Sequence, residues 1–258
     1  MGVKQPSRRF SKPALRQLEG RNVVREALRA QNKLTEILIE EKMKFDERLQ
    51  EIKQLANKQK VPIKRVGSHQ LKKLSKTGGN HQGIIAFGEY LEVYRLQELL
   101  DILEKQKQAP FFIMLTGVMY EHNLGAVIRT ADAAGVHGVI ISKQGEPLSP
   151  VVYRTAMGAE EHVMIIEENL FVALKLLKKH GIKLLGASEK ADYNLFKTDL
   201  NKGICLIMGV EDRGLSEPIA KLLDGYISIP MLGQIDSLNM SVAAAIAMYE
   251  VVRQRRYA

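Results

Sequence analysis

Three loops hold the side chains whose types and spacing could do chemistry. In Glu121-His122-Asn123-Leu124-Gly125-Ala126-Val127-Ile128-Arg129-Thr130, Asn123 and Arg129 stand six residues apart, a little under two helical turns, so an amide and a guanidinium can edge one cleft. Read in isolation, they are equally an N-cap and a solvated charge. Gly209-Val210-Glu211-Asp212-Arg213-Gly214-Leu215-Ser216 leaves an apolar run with two glycines, which lets backbone approach a ligand closely, and Glu211 sits where a strand ends. It matches neither the dinucleotide fingerprint GxGxxG nor a phosphate-binding GxxxxGKT, and a plain turn is the competing reading. In Ile227-Ser228-Ile229-Pro230-Met231-Leu232-Gly233-Gln234-Ile235-Asp236-Ser237-Leu238-Asn239-Met240-Ser241, the polar Ser237, Asn239 and Ser241 precede an alanine-rich stretch and also suit a helix cap.

These loops need elements to hold them. From residue 111 onward, runs that are apolar at nearly every position alternate with helical patterns: 111–116, 138–142, 163–166, 183–187, 204–208 and 226–229. Such runs predict a parallel sheet covered on both faces, with ligands beyond the carboxyl ends of its strands. The loops after Thr116, Met208 and Ile229 are the three that carry the polar residues. Gly135 is predicted to stop the helix after the first loop. The stretch 242–252 is apolar and small around much of its circumference, which predicts either a buried core helix or a subunit interface.

Before residue 91 the pattern is that of a smaller α/β domain: helix 22–30, strand 36–40, helix 46–60, strand 61–66, helix 70–75 and strand 83–88. Residues 1–16 carry Lys4, Arg8, Arg9, Lys12 and Arg16 without an acidic residue and are interrupted by Pro6 and Pro13, which predicts a flexible basic arm. The expected organisation is an arm over 1–16, a domain over 17–90, a Lys/Glu-rich linker over 91–108 with a break at Pro110, and a second domain over 109–258.

Composition narrows the partners. Of the 258 residues, 45% are hydrophobic and 26% charged, a balance that buries a core. The formal charge of +9 favours polyanions, although charge alone does not single out nucleic acid. The single cysteine, Cys205, lies inside an apolar run and reads as a small buried hydrophobe, which excludes a disulfide framework. No His/Cys spacing closes a metal site, so no metal is expected. Neither a signal-type apolar segment nor a run long enough to span a bilayer is present, so the expected address is the cytoplasm, with no membrane partner.

In order and spacing the three loops resemble the motifs of the SpoU family of RNA 2′-O-ribose methyltransferases, within the SPOUT superfamily. The likeness extends to Gly20-Arg21-Asn22-Val23-Val24-Arg25-Glu26-Ala27-Leu28 and His81-Gln82-Gly83, which are similar to the family's RNA substrate-binding domain, so it covers 19–255. It is nearest to the bacterial branch that modifies a guanosine of large-subunit ribosomal RNA. Two departures stand out. Tyr120-Glu121 replaces an Asp-Pro that the family often has, and Asp212 replaces a glycine.

The resemblance implies an α/β fold: a small N-terminal α/β RNA-binding domain and a C-terminal parallel-sheet α/β domain with a deep trefoil knot. It also implies a homodimer and a pocket for S-adenosylmethionine. Asn123, Arg129, Glu211, Ser237 and Asn239 match the family's active-site positions. Gly209, Ile229 and Leu238 match positions whose backbone contacts the cofactor, with Met231 nearby as a further cofactor-binding residue, and Arg21, Asn22, His81 and Gln82, with Arg8 and Arg9 of the arm, are the expected RNA contacts. A ribose hydroxyl is a poor nucleophile unless its developing charge is stabilised, and Arg129 is the cation for that role, with Glu211, Asn239 and Ser237 positioning the reactants. The reading that follows is methylation of a ribose 2′-hydroxyl in structured RNA. A transfer RNA 2′-O-ribose methyltransferase and a non-catalytic RNA-binding ribosome-assembly protein remain as alternatives.

Overall fold

The computed structural model describes residues 15–44, 46–91, 94–117, 120–142, 148–189, 191, 193–210 and 213–257. The chain divides into two compact units, with the cut between Leu91 and Glu92.

The first unit runs β1 (Arg16–Glu19), α1 (Arg21–Arg29), β2 (Leu34–Glu40), α2 (Glu47–Lys58), β3 (Ile63–Val66), α3 (Ser68–Leu74) and β4 (Ile84–Gly88). Its sheet has the order β1-β4-β2-β3, with β4 antiparallel to both neighbours and β2 parallel to β3. Helix α2 shows how sequence becomes structure here. Asp46 caps it by accepting from Leu49 N at 3.0 Å, and Leu49, Ile52 and Ala56 form the stripe that is buried.

The first strand corrects the expectation of an arm reaching residue 16. Arg16, Gln17 and Glu19 are buried in β1, with Arg16 opposite Gly88. The strand can bury Glu19 because that carboxylate is satisfied internally. The Glu19 carboxylate accepts from Gln17 Nε2, Ser75 Oγ, Lys76 N and Thr77 Oγ1, all at 2.6–2.7 Å. Four donors offset the desolvation that would otherwise keep a carboxylate outside.

The second unit runs α4 (Leu96–Lys105), β5 (Phe111–Leu115), α5 (Glu121–Ala133), β6 (Gly138–Ser142), α6 (Pro150–Ala156), a 3-10 turn at Ala159–Glu161, β7 (Met164–Glu168), α7 (Leu170–Lys179), β8 (Lys183–Ala187) and β9 (Tyr193–Asn194). A second 3-10 turn at Leu195–Lys197 is followed by β10 (Ile204–Met208), α8 (Glu217–Ala220), β11 (Gly225–Ser228) and α9 (Met240–Tyr257). Among the described residues the strands pair in the order β7-β6-β5-β10-β8-β11-β9, and every pairing is parallel.

The expected linker over 91–108 is also corrected. Leu96, Leu99, Leu100 and Leu103 of α4 are buried in one cluster with Phe112 of β5, Ile166 of β7 and Leu174 of α7. The Lys/Glu-rich face that suggested a linker is only the solvated side of a packed helix. Gly135, in the left-handed region at φ 67°, ends α5 as expected. Cys205 is buried in β10, where desolvation pushes its thiol well above the ordinary range and leaves it unreactive.

Helix α9 is clamped at its far end. Arg255 donates to the carbonyls of Ala109, Pro110, Leu200 and Lys202 and lies over the Phe111 ring, 5.2 Å from its centroid. Beside it, His137 Nδ1 accepts from Phe111 N at 3.0 Å. Burial first, and the Arg255 charge second, hold His137 below its usual value.

Candidate active site and RNA interface

Strands β5, β10, β8 and β11 are parallel neighbours, so the loops that follow them leave from one edge. Chain order reverses about β5, with β6 and β7 on one side and β10 and β8 on the other, the kind of crevice where open parallel sheets bind ligands. Loops one and two are tied at the root. Thr116 donates from both N and Oγ1 to the Met208 carbonyl, each at 3.1 Å. A Cβ on Gly117 would stand 2.7 Å from Val210 Cγ2.

The second loop curls onto itself, with Val210 N to Gly214 O at 3.0 Å and Gly214 N to Val210 O at 2.7 Å. A Cβ on Gly209 would lie 2.5 Å from the Gly214 carbonyl carbon, so this close backbone approach requires glycine whether or not a ligand is near. Glu211 lies outside the described residues, as do Arg8 and Arg9.

The third loop closes on the first. Asn239 begins α9: its carbonyl accepts from Val242 N and Ala243 N at 3.0 Å, and its Oδ1 accepts from Ser241 N at 2.9 Å and Ser241 Oγ at 2.6 Å. The same side chain donates from Nδ2 to Asn123 Oδ1 at 3.1 Å, joining positions 116 residues apart. Asn239 is therefore a cap and a cross-link at once. Asn123 is not an N-cap: α5 starts at Glu121, and Asn123 N bonds to the Tyr120 carbonyl inside the first turn.

Arg129 sits on the exposed side of α5 and, among the described residues, makes no hydrogen bond or ion pair. Ser237 is exposed and Leu238 half-buried in the run before Asn239. Ile229 and Met231 line an open cavity of about 430 Å³ together with Glu189, Ser228, Pro230 and Asp236. Sequence reasoning missed the two carboxylates. Glu189 could have been found, since it follows the carboxyl end of β8, where the rule for parallel sheets already pointed. Among the described residues no group of His, Cys, Asp and Glu could hold a metal ion.

In the first unit the ends of β1, β2 and β3 and the start of β4 share one sheet edge, as the pairs Glu19–Ile85, Ile39–Ile84 and Glu40–Val66 require. The connecting segments there expose Lys42, Lys44, Arg48, Lys72, Lys73 and Lys76. Arg21, Arg48 and Gln82 line a cavity of about 430 Å³ with Glu40, Met43 and Gly83. Arg21 is ion-paired to Asp46, and its backbone N donates to Gln82 Oε1 at 3.2 Å. Asn22 Oδ1 is buried with no hydrogen-bond partner among the described residues. His81 is only 6% exposed, and its Nδ1 accepts from Gly83 N at 3.0 Å, so this ring shapes the turn. Gln82 and Gly83 both have positive φ, 51° and 74°, which fixes the turn beside the cavity.

Each of the two units matches a family of known proteins. The model of the SpoU rRNA methylase family matches residues 110–249, and that of the RNA 2′-O-ribose methyltransferase substrate-binding domain matches 17–93. The 23S rRNA (guanosine-2′-O-)-methyltransferase RlmB of Escherichia coli K12 is 39% identical over 180 residues, covering 69% of this chain and 74% of that protein. RlmB of Photorhabdus laumondii is 41% identical over 180 residues, covering 69% and 73%. A crystal structure of an RNA 2′-O-ribose methyltransferase superposes with a TM-score of 0.78 at 28% identity, over 93% of this chain and 88% of that one. The fold is shared as well with the SpoU methyltransferase AviRb of Streptomyces viridochromogenes, solved with AdoMet, at a TM-score of 0.77 and 22% identity over 95% and 91% of the two chains. Both family models find their match in consecutive parts of one sequence, the first spanning over half of it, and the chain belongs to the SpoU rRNA methylase family.

Proposed function

We propose that this chain transfers the methyl group of S-adenosylmethionine to the 2′-hydroxyl of a guanosine in large-subunit ribosomal RNA. One observation carries the reading: the Asn239–Asn123 hydrogen bond draws the third loop onto the first, at the edge where β5, β10 and β11 end. Relatives of similar sequence that span most of the chain carry the same activity in their names.

The residues beside the third loop suit the cofactor. Ile229 and Met231 give apolar surface for an adenine, and Glu189 and Asp236 can accept from ribose hydroxyls and attract a sulfonium. Leu232 and Ile235 stand 99% and 74% exposed on the same loop, apolar surface that a ligand would cover. Backbone groups of Gly209, Ile229 and Leu238 would hold it, with Met231 alongside. When bound, S-adenosylmethionine supplies an electrophilic methyl group. Arg129 grips an RNA phosphate and stabilises the charge growing on the 2′-oxygen, while Glu211, Asn239, Asn123 and Ser237 fix the reactants.

The basic sheet edge of the first unit, with Arg21, Asn22, His81 and Gln82, holds the RNA, and Arg8 and Arg9 add phosphate contacts. The working form is a homodimer through α9, the loops around α9 thread a trefoil knot, and the site of action is the cytoplasm, where ribosomal RNA is made accessible. Incubation with labelled S-adenosylmethionine and unmodified 23S transcript, followed by mapping of ribose methylation, tests the assignment. Label in a single guanosine is expected, whereas label in transfer RNA alone or in no RNA overturns it.

A further inference from the structure

The proton of the 2′-hydroxyl needs a destination, and Arg129 is a poor one because a guanidinium stays protonated. A different base stands in the first turn of α5, beside Asn123. His122 is exposed, and its Nδ1 lies 3.1 Å from Thr155 Oγ1 on α6. Thr155 has one hydroxyl hydrogen, and it is committed to the Val151 carbonyl at 2.9 Å. Toward His122 the hydroxyl is thus an acceptor, so Nδ1 carries the proton and Nε2 presents a lone pair. Nε2 has no partner among the described residues. Free imidazole ordinarily favours the opposite tautomer, so the Thr155 contact selects a base.

The ring's place is fixed by close packing as well. A Cβ on Gly125 would stand 2.5 Å from Thr155 Cβ and 2.8 Å from the Val152 carbonyl, so glycine brings α6 near enough for Thr155 to reach His122. His122 and Arg129 are seven residues apart on α5 and fall within about 20° of each other around the helix. Both therefore project along one stripe, with a lone pair at its start and a cation two turns on. This suits a hydroxyl and a nearby phosphate of one RNA strand.

Resting on the reading of the site given above, we propose that His122 is the proton acceptor for the ribose 2′-hydroxyl. The 2′-oxygen bonds to the methyl carbon and displaces sulfur, which keeps the electron pair of the broken bond. The hydroxyl proton passes to Nε2, and the exposed imidazolium returns it to solvent. The neighbouring ionisable groups are Tyr120, Glu121 and Arg129 around α5, Tyr153 and Arg154 on α6, and Glu160 and Glu161 in the following 3-10 turn. The first two turns of α9 carry none.

Two measurements decide it. In protein labelled with ¹⁵N-histidine and free of ligand, NMR of the neutral ring should show His122, assigned by its loss in His122→Gln, with Nδ1 protonated and Nε2 bare, and Thr155→Val should reverse the tautomer. A wild-type ring protonated at Nε2 overturns the proposal. In single-turnover methylation of unmodified 23S transcript, the wild-type rate should rise with pH and level off. His122→Gln should lower that plateau by roughly a hundredfold and remove the limb, with affinity for S-adenosylmethionine unchanged by calorimetry. A variant that keeps the wild-type rate and pH limb overturns it too. A wild-type enzyme inert on this transcript would instead sink the ribosomal substrate, leaving the tautomer measurement to decide the state of the ring.

Discussion

At the scale of residues, the side chains proposed for catalysis differ in how they are held. Asn239 is bound by the helix it caps and by Asn123, so its position is set before any substrate arrives. Arg129 is exposed and, among the described residues, pairs with nothing, which leaves it open to the RNA phosphate proposed above. Lysine in its place keeps the charge but loses the planar fork that serves two oxygens together. Arg129→Lys is therefore expected to lower turnover by roughly a hundredfold or more, the scale of losing an oxyanion donor, and alanine to be at least as harmful. Calorimetry should find S-adenosylmethionine binding nearly intact. A lysine variant with a near-normal single-turnover rate would return Arg129 to an ordinary surface charge. The polar residues of the three loops drew attention because each loop leaves a strand's carboxyl end, but Glu168 and Asn169 at the end of β7 and Ser188 after β8 do the same, so it was the resemblance to the SpoU family that singled them out. His122 and Thr155 were not legible, since their significance lies in contacts between elements and not in any local pattern, and Glu189 was overlooked although it follows the carboxyl end of β8.

At the scale of elements, periodicity located most strands and helices of both units and failed where burial and polarity disagree. Strand β1 is Arg16-Gln17-Leu18-Glu19, and nothing in four residues with one apolar side chain announces a buried strand; three of the four donors that make Glu19 tolerable come from Ser75–Thr77. Strand β9 is two residues long, too short to leave a pattern. Helix α4 fails in the opposite sense, because its charged face hid four buried leucines. Burying a leucine contributes roughly 1.5–3 kcal/mol, and these four cover the cluster that includes Phe112 and Ile166. A fragment starting at Ala109 strips that cover, whereas one starting at Glu92 keeps it. The shorter fragment is expected to melt well below the longer one or to aggregate, and Leu99→Ala in the full chain should cost about 2–5 kcal/mol in denaturant unfolding. Equal stability of the two fragments would show that α4 is a linker after all.

At the scale of the whole molecule, sequence order and spatial order part company. The alternation of strands and helices fixed a parallel sheet in the second unit, but no periodicity places β10 between β5 and β8 or β11 between β8 and β9. That arrangement depends on which loops pass over which, and hydropathy does not record it. The same holds for assembly. The alanine-rich helix suited a core or an interface equally, and α9 serves the core along Ala244, Ala247, Met248 and Val251, all buried. A glutamate at Ala244 would unfold the chain and say nothing about a dimer. The opposite side presents Val242 and Tyr249, 46% and 49% exposed, with Ala245 and Ile246 between them. It is an apolar stripe on a helix whose first residue's neighbour, Asn239, belongs to the proposed site. If a second copy covers this stripe, Tyr249→Glu buries a charge in the interface while leaving the isolated fold untouched. Sedimentation velocity across a concentration series should show wild-type dimer and variant monomer, with thermal unfolding of the variant at low concentration matching that of dissociated wild type. Methylation should fall with the dimer. A wild-type chain that sediments as a monomer at fully active concentrations would refute the assembly and leave the stripe to some other partner.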